Sequence, residues 1–141
     1  MATRVRDDLG RARNLLQHKE RVYVSLAPSY VSEFAGVDAA NLISAIRSLG
    51  FAGVSETALG AQEVSARVAD RLGRGTSSLT LSSACPAAVA YVRKYLPTLA
   101  DDIVPLLSPV LAHCRMLRQA WGEAVGIVFI GPCVATKREA D

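Results

Sequence analysis

Short β-branched runs alternate with helix-patterned stretches along the whole chain, which leaves few architectures open. "RVYVSLA" (21–27) is a strand pattern, and "PSYVSEFAG" (28–36) a short helix that opens on proline and stops at Gly36. "DAANLISAIRSLG" (38–50) is a helix capped by Asp38, with Leu42, Ile43, Ile46 and Leu49 on its apolar face and Gly50 at its end. "FAGVSETA" (51–58) is a strand, and "LGAQEVSARVADRLGRG" (59–75) a helix ending in glycines. "SSLTLSSA" (77–84) is a strand followed by a helix over 86–95. "SPVLAHCRMLRQAWGE" (108–123) is a helix with Ser108 as cap and Pro109 at its first position, and "AVGIVFIGP" (124–132) is the most strand-like run of all. A helical pattern over 3–19, with Val5, Leu9, Ala12, Leu15 and Leu16 on one side, precedes the first strand. Regular alternation of this kind predicts an α/β fold: an open, mainly parallel sheet flanked by helices.

Composition narrows the class. With 141 residues, 50% hydrophobic and 21% charged, the chain can bury a core of its own. The formal net charge of +3 is spread along helix-patterned stretches such as "TRVRDDLGRARNLL" and no basic run interleaves with aromatics, so nucleic acid is not an expected partner. The charged start "MATRVRDDLGRARN" is unlike a signal peptide, and the longest apolar run, "AVGIVFIGPCVA", is too short for a bilayer and holds a proline. The expected location is the cytoplasm, with no membrane partner. Three cysteines without a secretory signal argue for core thiols, metal ligands or redox groups rather than a disulfide framework.

Three predicted strands end alike, in "VSLAPS" (24–29), "LSSACPA" (81–87) and "FIGPCVA" (129–135): apolar, then small, then proline. Ligand crevices of parallel sheets lie beyond the carboxyl ends of the strands, so Cys85 and Cys133 are expected to share one edge. Cys85 stands just before a helix, where backbone N–H groups and the helix dipole favour a thiolate, and Pro86 stiffens the corner. Spacing leaves three readings open: two small buried thiols, a metal or iron–sulfur site, and a thiol nucleophile or redox pair. No C-x-x-C is present. Cys114 falls on a stripe with Val110, Leu117 and Trp121 and is expected in the core, whereas His113 and His18 are expected at the surface. "LGRGTSS" (72–78) lacks the G-K-[ST] ending of a phosphate loop.

At these corners the sequence resembles a known family. "SSACPAAVAYVRKYLP" and "IGPCVATKREAD" look like the two leading cysteine motifs of the iron-only hydrogenase large-subunit catalytic domain, T-S-C-C-P-G-W-V…Y-Y-P and M-P-C-T-A-K-K-x-E-A. "VSLAPSY", "ISAIRSLGFAGVSETALGA" and "SPVLAHC" resemble further segments of it in the same order. The wording "SLAPS", "SPVLAH" and "FIGPC" is most like that of hydrogenase-like sensory proteins, where this domain accompanies ferredoxin-type and signalling domains. The resemblance implies two α/β lobes with a 4Fe-4S cluster between them. It assigns Cys85 and Cys133 as metal ligands and puts Ala27, Pro28, Ser29, Ala84, Pro86, Ser108, Pro132, Thr136 and Lys137 beside the cofactor. Residues 1–20 then follow a ferredoxin-like region, and 21–141 form the first lobe. The second lobe, which carries two further cysteine ligands, and the signalling domains are the implied partners, with a homodimer as another possible assembly. Two thiolates half fill a four-cysteine set, so the isolated chain is expected to hold no complete cluster.

Departures from the motifs bear on activity. The first cysteine of C-C-P, a proton relay in true hydrogenases, is Ala84; two relay glutamates fall at Val68 and Arg71 by an ungapped count from Gly60. The lysine that holds a cyanide ligand of the di-iron centre is Thr136, with Lys137 next to it, and the methionine of M-P-C is Gly131. Alanine and valine carry no exchangeable side-chain proton, and threonine has no positive charge for an anionic ligand. The expectation is a cluster-binding sensory or redox domain without hydrogen turnover, with a divergent hydrogenase and an iron–sulfur assembly scaffold as rivals.

Overall fold

The structure, a computed structural model, describes residues 7–75 and 79–139. Residues 3–6 of the expected first helix, 77–78 of the expected third strand and the last two residues lie outside it. The elements run α1 (Leu9–His18), β1 (Val22–Leu26), α2 (Tyr30–Glu33), α3 (Ala39–Ser48), β2 (Gly53–Glu56), α4 (Ala58–Gly73), α5 (Pro86–Tyr95), a 3₁₀ turn (Pro97–Asp102), α6 (Pro109–Trp121), β3 (Gly126–Ile130) and α7 (Val134–Glu139). They fall into two compact units, one running up to Glu56 together with Leu117–Val134, the other Thr57–Met116 together with the residues from Ala135 on. The division passes through α6 and the start of α7.

The first unit is a three-stranded parallel sheet in the order β2-β1-β3. β1 is central and buried along its length, Ser25 included, as a strand covered on both faces is. Its residues alternate between two clusters. Val22, Val24 and Leu26 pack with Ile46 and Phe51, flanked by Leu15, Leu16, Leu42 and Val54. Tyr23 packs with Leu117 and Val125. Trp121 is 48% exposed yet stacks on Tyr23, ring centroids 5.4 Å apart. The α3 boundaries follow from local chemistry. The Asp38 carboxylate accepts from the N–H groups of Ala40 (2.8 Å) and Asn41 (3.4 Å), and Gly50 takes φ +102°, a left-handed conformation suited to a helix stop. The buried face of α3 is narrower than its pattern, because Ile46 is buried and Leu49 is exposed.

In the second unit α4 lies directly on the first turns of α6. A Cβ built on Gly60 would stand 2.1 Å from the Pro109 carbonyl oxygen and 2.8 Å from His113 Cβ. Only a glycine allows two helices so close at this point. The expected strand at 77–84 does not form among the described residues. Leu81 makes a single parallel bridge to Ile103, with Leu81 N–H donating to Asp102 O and Val104 N–H to Leu81 O, both 2.9 Å. The sheet therefore has three strands, and the corner before α5 does not end one of them. The run "SSLTLSSA" is rich in hydroxyls that compete for the backbone, and Ser82 Oγ does accept from Ala84 N–H at 3.2 Å. No helix among the described residues is long and apolar enough to cross a membrane.

His113 corrects another expectation. It is 1% exposed and ranks among the most deeply buried side chains of the described residues. His113 lies off the stripe of Val110, Cys114, Leu117 and Trp121, but the close approach of Gly60 covers its side of α6. Cys114, expected in the core, is only half-buried. Burial lowers the His113 pKa from its ordinary value of 6.5. An unfolded chain then binds a proton that the folded one refuses, so the stabilisation is complete above pH 6.5 and is lost as pH falls below it. The urea midpoint is expected to fall between pH 7 and pH 5, and His113→Leu to flatten that slope; identical slopes for both proteins would refute the assignment.

Candidate functional site

The Ala27–Ser29 corner follows β1, and Gly131–Cys133 follows β3. β1 and β3 are paired in register through Leu26 and Ile130, and Ala27 N–H donates to Ile130 O at 2.9 Å, so the first unit brings these two corners together. The approach is tight: a Cβ on Gly131 would stand 2.7 Å from Ala27 Cβ and 2.6 Å from Phe129 Cζ. Ala27 is buried, Pro28, Pro132 and Cys133 are exposed, and Ser29 is half-buried. Tyr30 anchors the first corner to the end of β2 by donating its hydroxyl to Glu56 Oε1 at 3.3 Å. The negative charge of Glu56 raises the Tyr30 pKa, which keeps the hydroxyl a donor.

The second unit holds Ala84, Cys85, Pro86, Ser108, Thr136 and Lys137. Cys85 is the residue before α5, extended at φ −109° and ψ 109°, with Pro86 at the first helical position. Its carbonyl accepts from Val89 N–H at 3.1 Å, while its side chain makes no capping hydrogen bond. Proline costs the helix nothing there, since the first N–H groups lack intrahelical acceptors. Ala84 and Cys85 are exposed, Pro86 half-buried. Ser108 is buried and plays two parts. Its Oγ accepts from Leu111 N–H at 3.4 Å, capping α6, and donates to Glu139 Oε2 at 2.5 Å. That second bond ties the start of α6 to the last turn of α7, the helix that carries Thr136, 8% exposed, and Lys137, half-buried.

The candidate positions thus divide between the units, with Cys133 in the first and Cys85 in the second. Both thiols are exposed, which removes the reading of two buried structural cysteines. As donors they fit a thiolate-bound metal centre: sulfur ligands at helix-preceding corners, each beside a proline. Among the described residues no three His, Cys, Asp or Glu side chains group closely enough to enclose a metal ion. Ser83, two residues before Cys85, was not foreseen; its Oγ is the buried side-chain oxygen among the described residues that lacks a hydrogen-bond partner. Glu139 was also missed, because nothing in its local sequence marks the serine it meets across the fold.

The scaffold is thus parallel α/β, with one cysteine–proline corner between β3 and α7 and another at the start of α5. The protein-family model of the iron-only hydrogenase large subunit, C-terminal domain, matches residues 20–141. The chain belongs to that family. Among solved structures it is similar to the apo FeFe-hydrogenase HydA1 of Chlamydomonas reinhardtii, in a cysteine-to-histidine variant, with TM-score 0.67 and 23% sequence identity. The similarity covers 92% of this chain and 40% of that one, so the chain spans two fifths of the length of that hydrogenase.

Proposed function

We propose that the chain is a hydrogenase-like iron–sulfur domain with a sensory or redox-signalling role and no hydrogen turnover. Cys85 and Cys133 supply two thiolates of a 4Fe-4S ligand set, and the second lobe of the same protein supplies the other two. A cluster so held contributes one-electron redox chemistry. The observation that carries this reading is the pairing of retained, exposed thiols with chemically inert neighbours. Cys85 and Cys133 are accessible for ligation, while Ala84 is exposed without a proton to give and Thr136 is buried without a charge. Gly131 points the same way, since the space beside its Cα is taken by Phe129 and Ala27.

On this reading Pro86 and Pro132 stiffen the two ligand corners, Ser108 fixes the start of α6 against α7, and Ala27–Ser29 line the β1 side. A change in the cluster's charge or its loss alters packing around these corners and is passed to attached ferredoxin-like and signalling domains, in the cytoplasm. The test is anaerobic reconstitution of the full-length protein. Cys85→Ala and Cys133→Ala are each expected to reduce bound iron several-fold with the far-ultraviolet circular dichroism unchanged, since both side chains are exposed. Undiminished iron in either variant refutes the ligand assignment. Carbonyl and cyanide infrared bands in a matured sample would instead establish the divergent hydrogenase.

A further inference from the structure

We propose that the second unit carries an oxyanion-binding cleft, apart from the cysteine corners, that takes the phosphate group of a small phosphorylated ligand. The cleft, about 320 Å³, is lined by Arg67, Asp70, Arg71 and Arg74 of α4 and by Pro105 and Leu106. Positions 67, 71 and 74 follow the i, i+4, i+7 spacing that puts side chains on one helical stripe, so three guanidinium groups share one wall. The two carboxylates nearby are already engaged within the helix. Glu63 Oε1 accepts from Arg67 Nε at 2.6 Å, and Asp70 takes Arg74 at 3.2 Å from Nε and 2.8 Å from Nη2. Arg71 has no hydrogen bond or ion pair among the described residues, and Arg67 is paired through Nε, which leaves its two terminal nitrogens as further donors.

The opposite wall is apolar and offers few donors. Pro105 has no N–H, and Leu106 N–H is spent on Val104 O at 2.8 Å. Recognition therefore falls to the arginines, whose planar forks suit phosphate oxygens. Arg71 lies between Arg67 and Arg74 at helix-neighbour spacing; Glu63 and Asp70 offset the charge of those two, and a bound anion would offset that of Arg71. Arg71 and Arg74 also complement the negative end of the α4 dipole, but Arg67 stands too far from the last turn to do so. A compact phosphate ligand is favoured over an acidic polypeptide because the cleft is small and bounded by the Pro105–Leu106 wall.

Calorimetric titration of the protein with inorganic pyrophosphate at low salt tests this. A Kd of about 0.1–1 mM is expected. Arg71→Gln and Arg67→Gln should each weaken it about tenfold, in the range of a lost charge-assisted hydrogen bond, and raised salt should weaken it further. Arg47→Gln on α3, outside the cleft, should leave it unchanged. Melting temperatures of the variants should match the parent, since these side chains are exposed. No binding of pyrophosphate at about ten times that concentration overturns the proposal. So does equal binding by all three variants, or tighter binding of a glutamate-rich peptide than of pyrophosphate.

Discussion

Gly60→Ala is expected to destabilise the protein by about 3 kcal/mol, at the upper end of overpacking costs. On propensity alone alanine should help, by up to about 1 kcal/mol in a helix interior. The added methyl carbon would, however, lie 2.1 Å from the Pro109 carbonyl oxygen and 2.8 Å from both His113 N and His113 Cβ. Two of these three atoms belong to the backbone of α6 and cannot turn aside as a side-chain end could. Relief requires α4 and α6 to separate at this point, which loosens the packing on the buried His113. Gly73→Ala is the control on the same helix, since nothing lies within 4 Å of its built Cβ. Urea titrations followed by circular dichroism should show a lowered midpoint for Gly60→Ala and an unchanged or raised one for Gly73→Ala. Equal midpoints would mean that the helices can move apart at little cost.

Gly131→Met, which restores the residue found in the family's M-P-C motif, is expected to cost about 2 kcal/mol instead of passing unnoticed. The new Cβ would meet Phe129 Cζ at 2.6 Å and Ala27 Cβ at 2.7 Å. The Phe129 ring can swing outward, but Ala27 is held at the end of the buried central strand by its hydrogen bond to Ile130 O. Ala27→Gly should therefore recover part of the loss, and the double variant should be more stable than the two single effects predict when added. A Gly131→Met protein as stable as its parent would show that the corner has room for the methionine. That result would also remove one support for reading the corner as unlike that of a hydrogenase.

The parallel sheet and most helix boundaries were legible because each has a local cause. β1 reads as an apolar run broken only by Ser25, α3 starts where Asp38 can cap it, and α5 starts at Pro86 as its sequence states. The stretch 79–84 misled because its alternation resembles a strand, while its serines offer the backbone other partners and Leu81 finds a lone bridge at Ile103. The candidate site was legible as types of residue at corners. Exposed thiols at Cys85 and Cys133 are compatible with ligation, yet their local sequence did not separate them from buried ones.

From the sequence alone came the family, the two cysteine–proline corners and the identities of Ala84, Val68 and Thr136, none of which carries a thiol, a carboxylate or an ammonium group. These are matters of covalent identity, and no folding is needed to know that alanine carries no proton to relay. Only the tertiary structure decided that His113 is buried against α4, that Ser108 ties α6 to Glu139, and that Gly60 and Gly131 sit at close approaches. It alone gathered Arg67, Arg71 and Arg74 opposite Pro105 and Leu106. Each of these depends on which face a neighbouring element covers, and that is set by packing between residues distant in the chain rather than by any local pattern.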